Sequence, residues 1–202
     1  MLNNAMERQY HAPVAGVDEA GRGPWAGPVV SAAVIFQNRN IPTGINDSKK
    51  LSAAKRELLY SQILGSADVG IGIVDAQEID TLNILQATFK AMQIAVAALK
   101  HRPATVLVDG NRLPKWEYPS HALIGGDGVS VSIAAASIVA KVTRDRIMQE
   151  LAKQYPHYGW EKNAGYGTKA HQQGLAQFGI TPHHRKSYAP IKALLPGARE
   201  AA

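Results

Sequence analysis

The chain has 202 residues, 22 Lys plus Arg against 16 Asp plus Glu, and a formal net charge of +6. That length fits one domain with a sizeable core, the 46% apolar content without a low-complexity tract makes it globular, and the basic excess favours a polyanionic partner. It contains no cysteine, which excludes disulfides and thiolate metal sites, and no stretch reaches the ~18 apolar residues of a membrane span.

The N-terminus carries no apolar leader core, so a cytoplasmic protein is expected. In chain order, Val14 to Asp18, Val29 to Phe36 and Val69 to Val74 are predicted strands, rich in β-branched residues and broken by Gly and Pro. Ser52 to Leu64 is a predicted helix with Ser52 as its N-cap. A second helix is predicted from about Asp80 to Leu99, with Leu82, Leu85, Phe89, Met92 and Val96 forming a buried face and Pro103 beyond its end. Val106 to Asp109 and Ala122 to Ile124 are short predicted strands, and Val129 to about Gln154 is a long helix. This order is compatible with an α/β architecture, a mixed sheet flanked by helices. After Tyr155-Pro156 the composition shifts to Gly, His, Lys, Arg and Tyr, with a short helix near Lys169 to Gln177. Residues 1–155 are expected to be the catalytic core. Residues 156–202 are expected to be a helical appendage that packs beside it and walls a nucleic-acid groove.

Charge placement carries the chemistry. Asp18-Glu19 closes an apolar segment, Asp109 closes another, and Asp127 stands in a Gly-rich turn before the long helix. Carboxylates at the ends of core elements are costly unless a cation compensates them, and oxygen ligands suit hard ions such as Mg²⁺ or Mn²⁺. Asp18, Glu19, Asp109 and Asp127 are therefore the expected catalytic metal ligands, enough for two divalent cations. Gly21-Arg22-Gly23 follows at once, and its glycines suit either a tight turn or a backbone that approaches a ligand closely. Lys49 lies in a predicted loop, and Ser137, Lys141 and Arg144 share one helical face expected to meet phosphates. His183-His184-Arg185-Lys186 fits a phosphate-binding or plain surface segment better than a zinc site, and Trp25, Trp116 and Trp160 fit packing. No dinucleotide fingerprint or Walker A loop is present.

Six motifs in order resemble bacterial ribonuclease HII, from about Val14 to Pro190. They are Gly16-Val17-Asp18-Glu19-Ala20-Gly21-Arg22-Gly23-Pro24, Asn46-Asp47-Ser48-Lys49-Lys50-Leu51-Ser52, Val108-Asp109-Gly110-Asn111, Gly126-Asp127, Ala134 to Val142, and Gly165-Tyr166-Gly167-Thr168. The resemblance implies a ribonuclease H-like fold. It also implies a metal-dependent endoribonuclease cutting 5′ of ribonucleotides in RNA–DNA hybrids or in duplex DNA, with roles in ribonucleotide excision repair and primer removal. The Gly21-Arg22-Gly23 loop and Tyr166 would read the ribose 2′-hydroxyl, the group that separates RNA from DNA. Where the family usually has proline after this tyrosine, the chain has Gly167, and a less rigid loop is expected. A monomer is expected. Ribonuclease HIII is disfavoured because only about a dozen residues precede the first motif. A junction resolvase would share the acids without the Gly-Arg-Gly and Tyr166 pairing, and a catalytically silent binder would lack the acids.

Overall fold

The computed structural model describes residues 2–37 and 40–196. Strands β1 (Val14–Ala20) and β2 (Val29–Ile35) are followed by α1 (Ala53–Ser66) and β3 (Asp68–Val74). Helices α2 (Ala76–Leu82) and α3 (Ile84–Ala97) then lead to β4 (Thr105–Asp109) and β5 (Ser120–Leu123). The long helix α4 (Val131–Gln154) precedes three short ones, α5 (Trp160–Asn163), α6 (Lys169–Phe178) and α7 (Ala189–Lys192).

The strands form one sheet in the order β3-β2-β1-β4-β5. β1, β2 and β3 pair antiparallel, whereas β4 runs parallel to β1 and β5 parallel to β4. A parallel neighbour needs a crossover, and α2 with α3 supplies it. Both faces of the sheet are covered, as the almost wholly apolar and fully buried β2 requires. On one face α4 packs Ala134, Ala135, Ile138 and Val139 against Val30, Ala32 and Val34, with Leu59 and Ile63 of α1 joining them. On the other, Met92, Ala95 and Val96 of α3 meet Ala15, Val17, Ala33 and Ile35. Two glycines let α3 lie close, because a Cβ at Gly70 or Gly72 would strike the carbonyl of Ala95 or Ala91.

Predicted and observed elements agree within a few residues except at the second helix. The expected continuous helix from Asp80 to Leu99 is two helices, broken at Asn83, whose φ is +67°. Asn83 takes a positive φ with ψ +161°, outside the left-handed helical well, and its side-chain oxygen caps α3 by accepting from the amides of Leu85 and Gln86 at 3.0 and 3.2 Å. Asp75 caps α2 by accepting from the Glu78 amide.

After Pro156, Tyr158, Trp160, Leu175 and Ile191 pack with Met148 and Ala152 of α4 and with Ala26 of the loop between β1 and β2. The end of the expected appendage, residues 197–202, lies outside the described part. Trp160 is a packing residue as expected, 1% exposed. No helix among the described residues is long and apolar enough to cross a membrane.

Candidate active site

The parallel pairing of β1 with β4 creates the site. Val17 sits opposite Val108, so the two strands run out together, with Asp18-Glu19 ending one and Asp109 ending the other. Neighbouring strands lie ~4.8 Å apart, so this register alone brings carboxylates of distant sequence side by side. Side chains alternate across a strand. Asp18 accordingly faces α4 and takes a hydrogen bond from Ser137, whereas Glu19 reaches a hollow lined by Leu85, Thr88, Phe89 and Met92 of α3.

The electrostatics are those of acids crowded together. Burial, followed by repulsion from Glu19 and Asp109, holds the Asp18 carboxyl well above its usual range. The Glu19 amide, donating to Asp18 Oδ1 at 2.7 Å, and the Ser137 hydroxyl oppose this. Burial also raises Glu19, opposed by Arg22 3.5 Å away and reinforced by Asp109. Asp109 Oδ1 accepts from the Gly126 amide at 2.7 Å, which ties the turn carrying Asp127 to the end of β4. Asp127 is raised by burial and then by Asp47 and Asp109. Among the described residues no three acidic or imidazole side chains are drawn into a ready-made coordination cage, in keeping with Asp18 and Glu19 leaving opposite faces of β1. Mutually repelling oxygen donors on adjacent strand ends nonetheless fit a hard divalent cation, whose charge removes the repulsion.

A cleft of about 420 Å³ opens beside these strand ends. Asp18, Glu19, Gly21, Arg22, Gly23, Ser48, Lys49, Asp109, Ser137, Lys141 and Tyr166 meet there. Of the expected site residues, Asp127 alone stays off its lining and stands to one side with Asp47. Asp47, which accepts from the Lys49 amide at 2.9 Å, is an acid that sequence reasoning left unassigned. Its signal was available in Asn46-Asp47-Ser48-Lys49, the motif that supplies Lys49. Ser48 and Ser137 hydroxyls bond at 2.7 Å and lock that motif to α4 beneath Asp18.

Three expectations need correction. Arg144, expected on a phosphate-binding face, is 2% exposed. It donates to the carbonyls of Pro28, Ala26 and Ala164 at 2.9, 3.1 and 2.9 Å, so each of its three nitrogens is held by backbone under the cleft. The segment from His183 to Lys186 is not plain surface either, since His184 and Arg185 are buried. Arg185 donates to the carbonyls of Gly21, Arg22, Gly27 and Pro28, a role invisible in its sequence neighbours. Finally, Gly167 does not loosen its loop. Any Cβ there would run into the Trp25 ring, so the residue is fixed by packing.

The tyrosine itself is half exposed and faces the glycine loop, where a Cβ on Gly23 would come 3.3 Å from Tyr166 Cε1. Gly21, at φ +97°, has no room for a side chain because Arg144 lies against it. Behind Tyr166 its carbonyl accepts from His171 Nδ1 at 3.0 Å, and His171 Nε2 accepts from Trp160 Nε1 at 3.2 Å.

The chain is similar to known ribonucleases. The family model for ribonuclease HII matches residues 15–191. A ribonuclease HII from Magnetococcus marinus is 58% identical over 184 residues, covering 90% of this chain and 86% of that protein. The crystal structure of ribonuclease H2 from Pyrococcus horikoshii OT3 superposes with a TM-score of 0.77 at 29% identity, over 90% of this chain and 96% of the other. Ribonuclease HII of Archaeoglobus fulgidus, solved in complex with PCNA, gives a TM-score of 0.71 at 26% identity, over 87% and 94%.

Proposed function

The chain belongs to the ribonuclease HII family, and from that premise we propose that it cuts the phosphodiester 5′ of a ribonucleotide, leaving 3′-hydroxyl and 5′-phosphate ends. Its family makes it a ribonuclease H, a hydrolase. The proposal concerns its substrates: ribonucleotides embedded in duplex DNA and RNA–DNA hybrids, with roles in ribonucleotide excision repair and primer removal. What supports this best is one shared cleft joining Asp18, Glu19 and Asp109 to Gly21-Arg22-Gly23 and Tyr166.

Asp18, Glu19 and Asp109 would hold Mg²⁺ or Mn²⁺, with Asp127 and the backbone carbonyl of Glu19 as further oxygen donors. A pair of such ions, when bound, activates water and neutralises charge on the phosphorus oxygens and the leaving alkoxide. The chain's own residues do the rest. Lys49 and Lys141 line the cleft and offer ammonium groups to phosphates on either side of the scissile bond. The glycine loop presents backbone to the ribose 2′-hydroxyl, and the Tyr166 ring, packed on Gly23, offers a flat surface to the next sugar, where a deoxyribose fits better. The segment after Pro156 contributes Tyr166 and so walls one side of the groove.

A duplex with one ribonucleotide and its all-DNA counterpart, each with and without Mg²⁺ or Mn²⁺, test the reading. Cleavage is expected only for the first and only with metal. Asp18→Asn and Asp109→Asn should lower turnover by about 10²-fold or more while duplex binding persists. Near-normal turnover in either variant removes that carboxylate from the chemistry.

A further inference from the structure

Arg185 is fully buried and has no carboxylate partner among the described residues. All five of its N–H donors are nonetheless engaged. Nε donates to Gly27 O at 3.0 Å. Nη1 reaches Arg22 O and the Tyr188 hydroxyl, both at 2.9 Å. Nη2 reaches the carbonyls of Gly21, Gly27 and Pro28 at 2.6, 2.9 and 3.2 Å. Tyr188 Oη also donates to Arg22 O at 2.5 Å. The base of the side chain is fixed too, because the Arg185 amide donates to Trp25 O at 2.8 Å and His184 bridges to Ala26.

The consequence follows from peptide geometry. A carbonyl and the next residue's N–H lie in one plane and point opposite ways. With the Gly21 and Arg22 carbonyls drawn inward to Arg185, the amides of Arg22 and Gly23 are turned outward, on the exposed side of a turn that lines the cleft. Neither amide donates a backbone hydrogen bond among the described residues. Two fixed, free donors are what a sugar hydroxyl needs, since donors already oriented cost little to order on binding.

We propose that Arg185 is a positioning residue for ribose recognition, holding the amides of Arg22 and Gly23 toward a 2′-oxygen in the cleft. This rests on the reading of the Gly21-Arg22-Gly23 loop as the 2′-hydroxyl reader. Lysine cannot substitute: it has three donors on one point charge, against a planar fork that serves four carbonyls and a phenol. A role that needed only positive charge under a polyanion would be met by lysine.

The test compares wild type, Arg185→Lys and Tyr188→Phe. Affinities are measured without metal for a duplex with one ribonucleotide and for the same duplex in all-DNA form, cleavage efficiency is measured with Mg²⁺ or Mn²⁺, and urea unfolding checks the fold. In Arg185→Lys the cleavage efficiency on the ribonucleotide should fall about 10- to 100-fold and the binding preference for it should vanish, while all-DNA affinity is unchanged. Tyr188→Phe, which keeps Arg185 and loses only the hydroxyl, should move the same way by about 3- to 10-fold, and it decides the matter if Arg185→Lys does not fold. Preference retained in the folded variants, or equal losses on both duplexes, overturns the proposal. A wild type without any preference would instead remove the 2′-hydroxyl reading itself, and this inference with it.

Discussion

Lys141 and Arg144 share the cleft side of α4, yet only Lys141 keeps a charge for a ligand. Its ammonium bonds Asp145 at 2.7 Å with about a third of the side chain exposed, so a phosphate can compete for it. Arg144 is buried and commits three of its five donors to carbonyls, and burial together with the neighbouring Arg185 charge pushes its pKa down to about 10, still protonated at neutral pH. Lys141→Ala should therefore weaken binding to every duplex alike and lower the slope of log affinity against log salt by about 0.9, with folding stability nearly unchanged. Arg144→Ala should do the reverse in kind. It leaves the buried Ala26 and Ala164 carbonyls without a donor, while Pro28 O keeps its bond from Arg185, at a cost of roughly 2 kcal/mol, about 1 kcal/mol each. Urea unfolding and salt titrations of the two variants separate the cases, and a stable Arg144→Ala protein with a reduced slope would restore arginine to the phosphate-binding face.

At the scale of elements, the turn from Gly165 to Thr168 shows how packing overrides a local rule. Glycine after Tyr166 suggests freedom, but Trp25 lies over Gly167, and Trp25 in turn rests against His171 with ring centroids 5.7 Å apart. Gly167→Ala and Gly167→Pro should both push Trp25 aside, costing roughly 1–3 kcal/mol, and the displaced Tyr166 should cut less well. Wild-type stability in either variant would show that the loop has room. The sequence was legible wherever residue type carried the physics. Apolar runs ending in Asp18-Glu19 and Asp109 disclosed both the strands and the acids, and Ser52 marked the start of α1, accepting from the Lys55 amide as a cap does. It was illegible where the deciding partner is backbone or distant in sequence. Nothing local distinguishes the helix-breaking Asn83 from an ordinary polar residue within a helix. Arg185 reads as a surface cation because its acceptors are carbonyls some 160 positions away.

For the molecule as a whole, acid should be more harmful than its carboxylates alone would make it, because the segment after Pro156 is joined through uncharged histidines. The Thr181 amide donates to His184 Nδ1 at 2.9 Å, so His184 carries its proton on Nε2 and donates it to His171 Nε2 at 2.9 Å. His171 in turn donates from Nδ1 to Tyr166 O, so both rings are satisfied only when neutral. Burial, reinforced by the neighbouring His171, pushes His184 down to about 3, and burial lowers His171 as well. An unfolded histidine takes its proton near 6.5. Between those values the unfolded chain binds more protons than the folded one, so this stability is fully present above about pH 6.5 and is lost progressively as pH falls toward 3. The slope is at most about 1.4 kcal/mol per pH unit for His184. Urea unfolding of wild type and His184→Gln at pH 7.5, 5.5 and 4.5 isolates the effect from the carboxylates, which titrate in both. The variant should be less stable at pH 7.5 and should lose less on acidification. If the two proteins lose stability in parallel from pH 7.5 to 4.5, the histidine pair does not govern the acid response, and the cause has to be sought among carboxylates held below their usual range, such as Asp68 beside His101, since the raised acids at the strand ends gain from protonation.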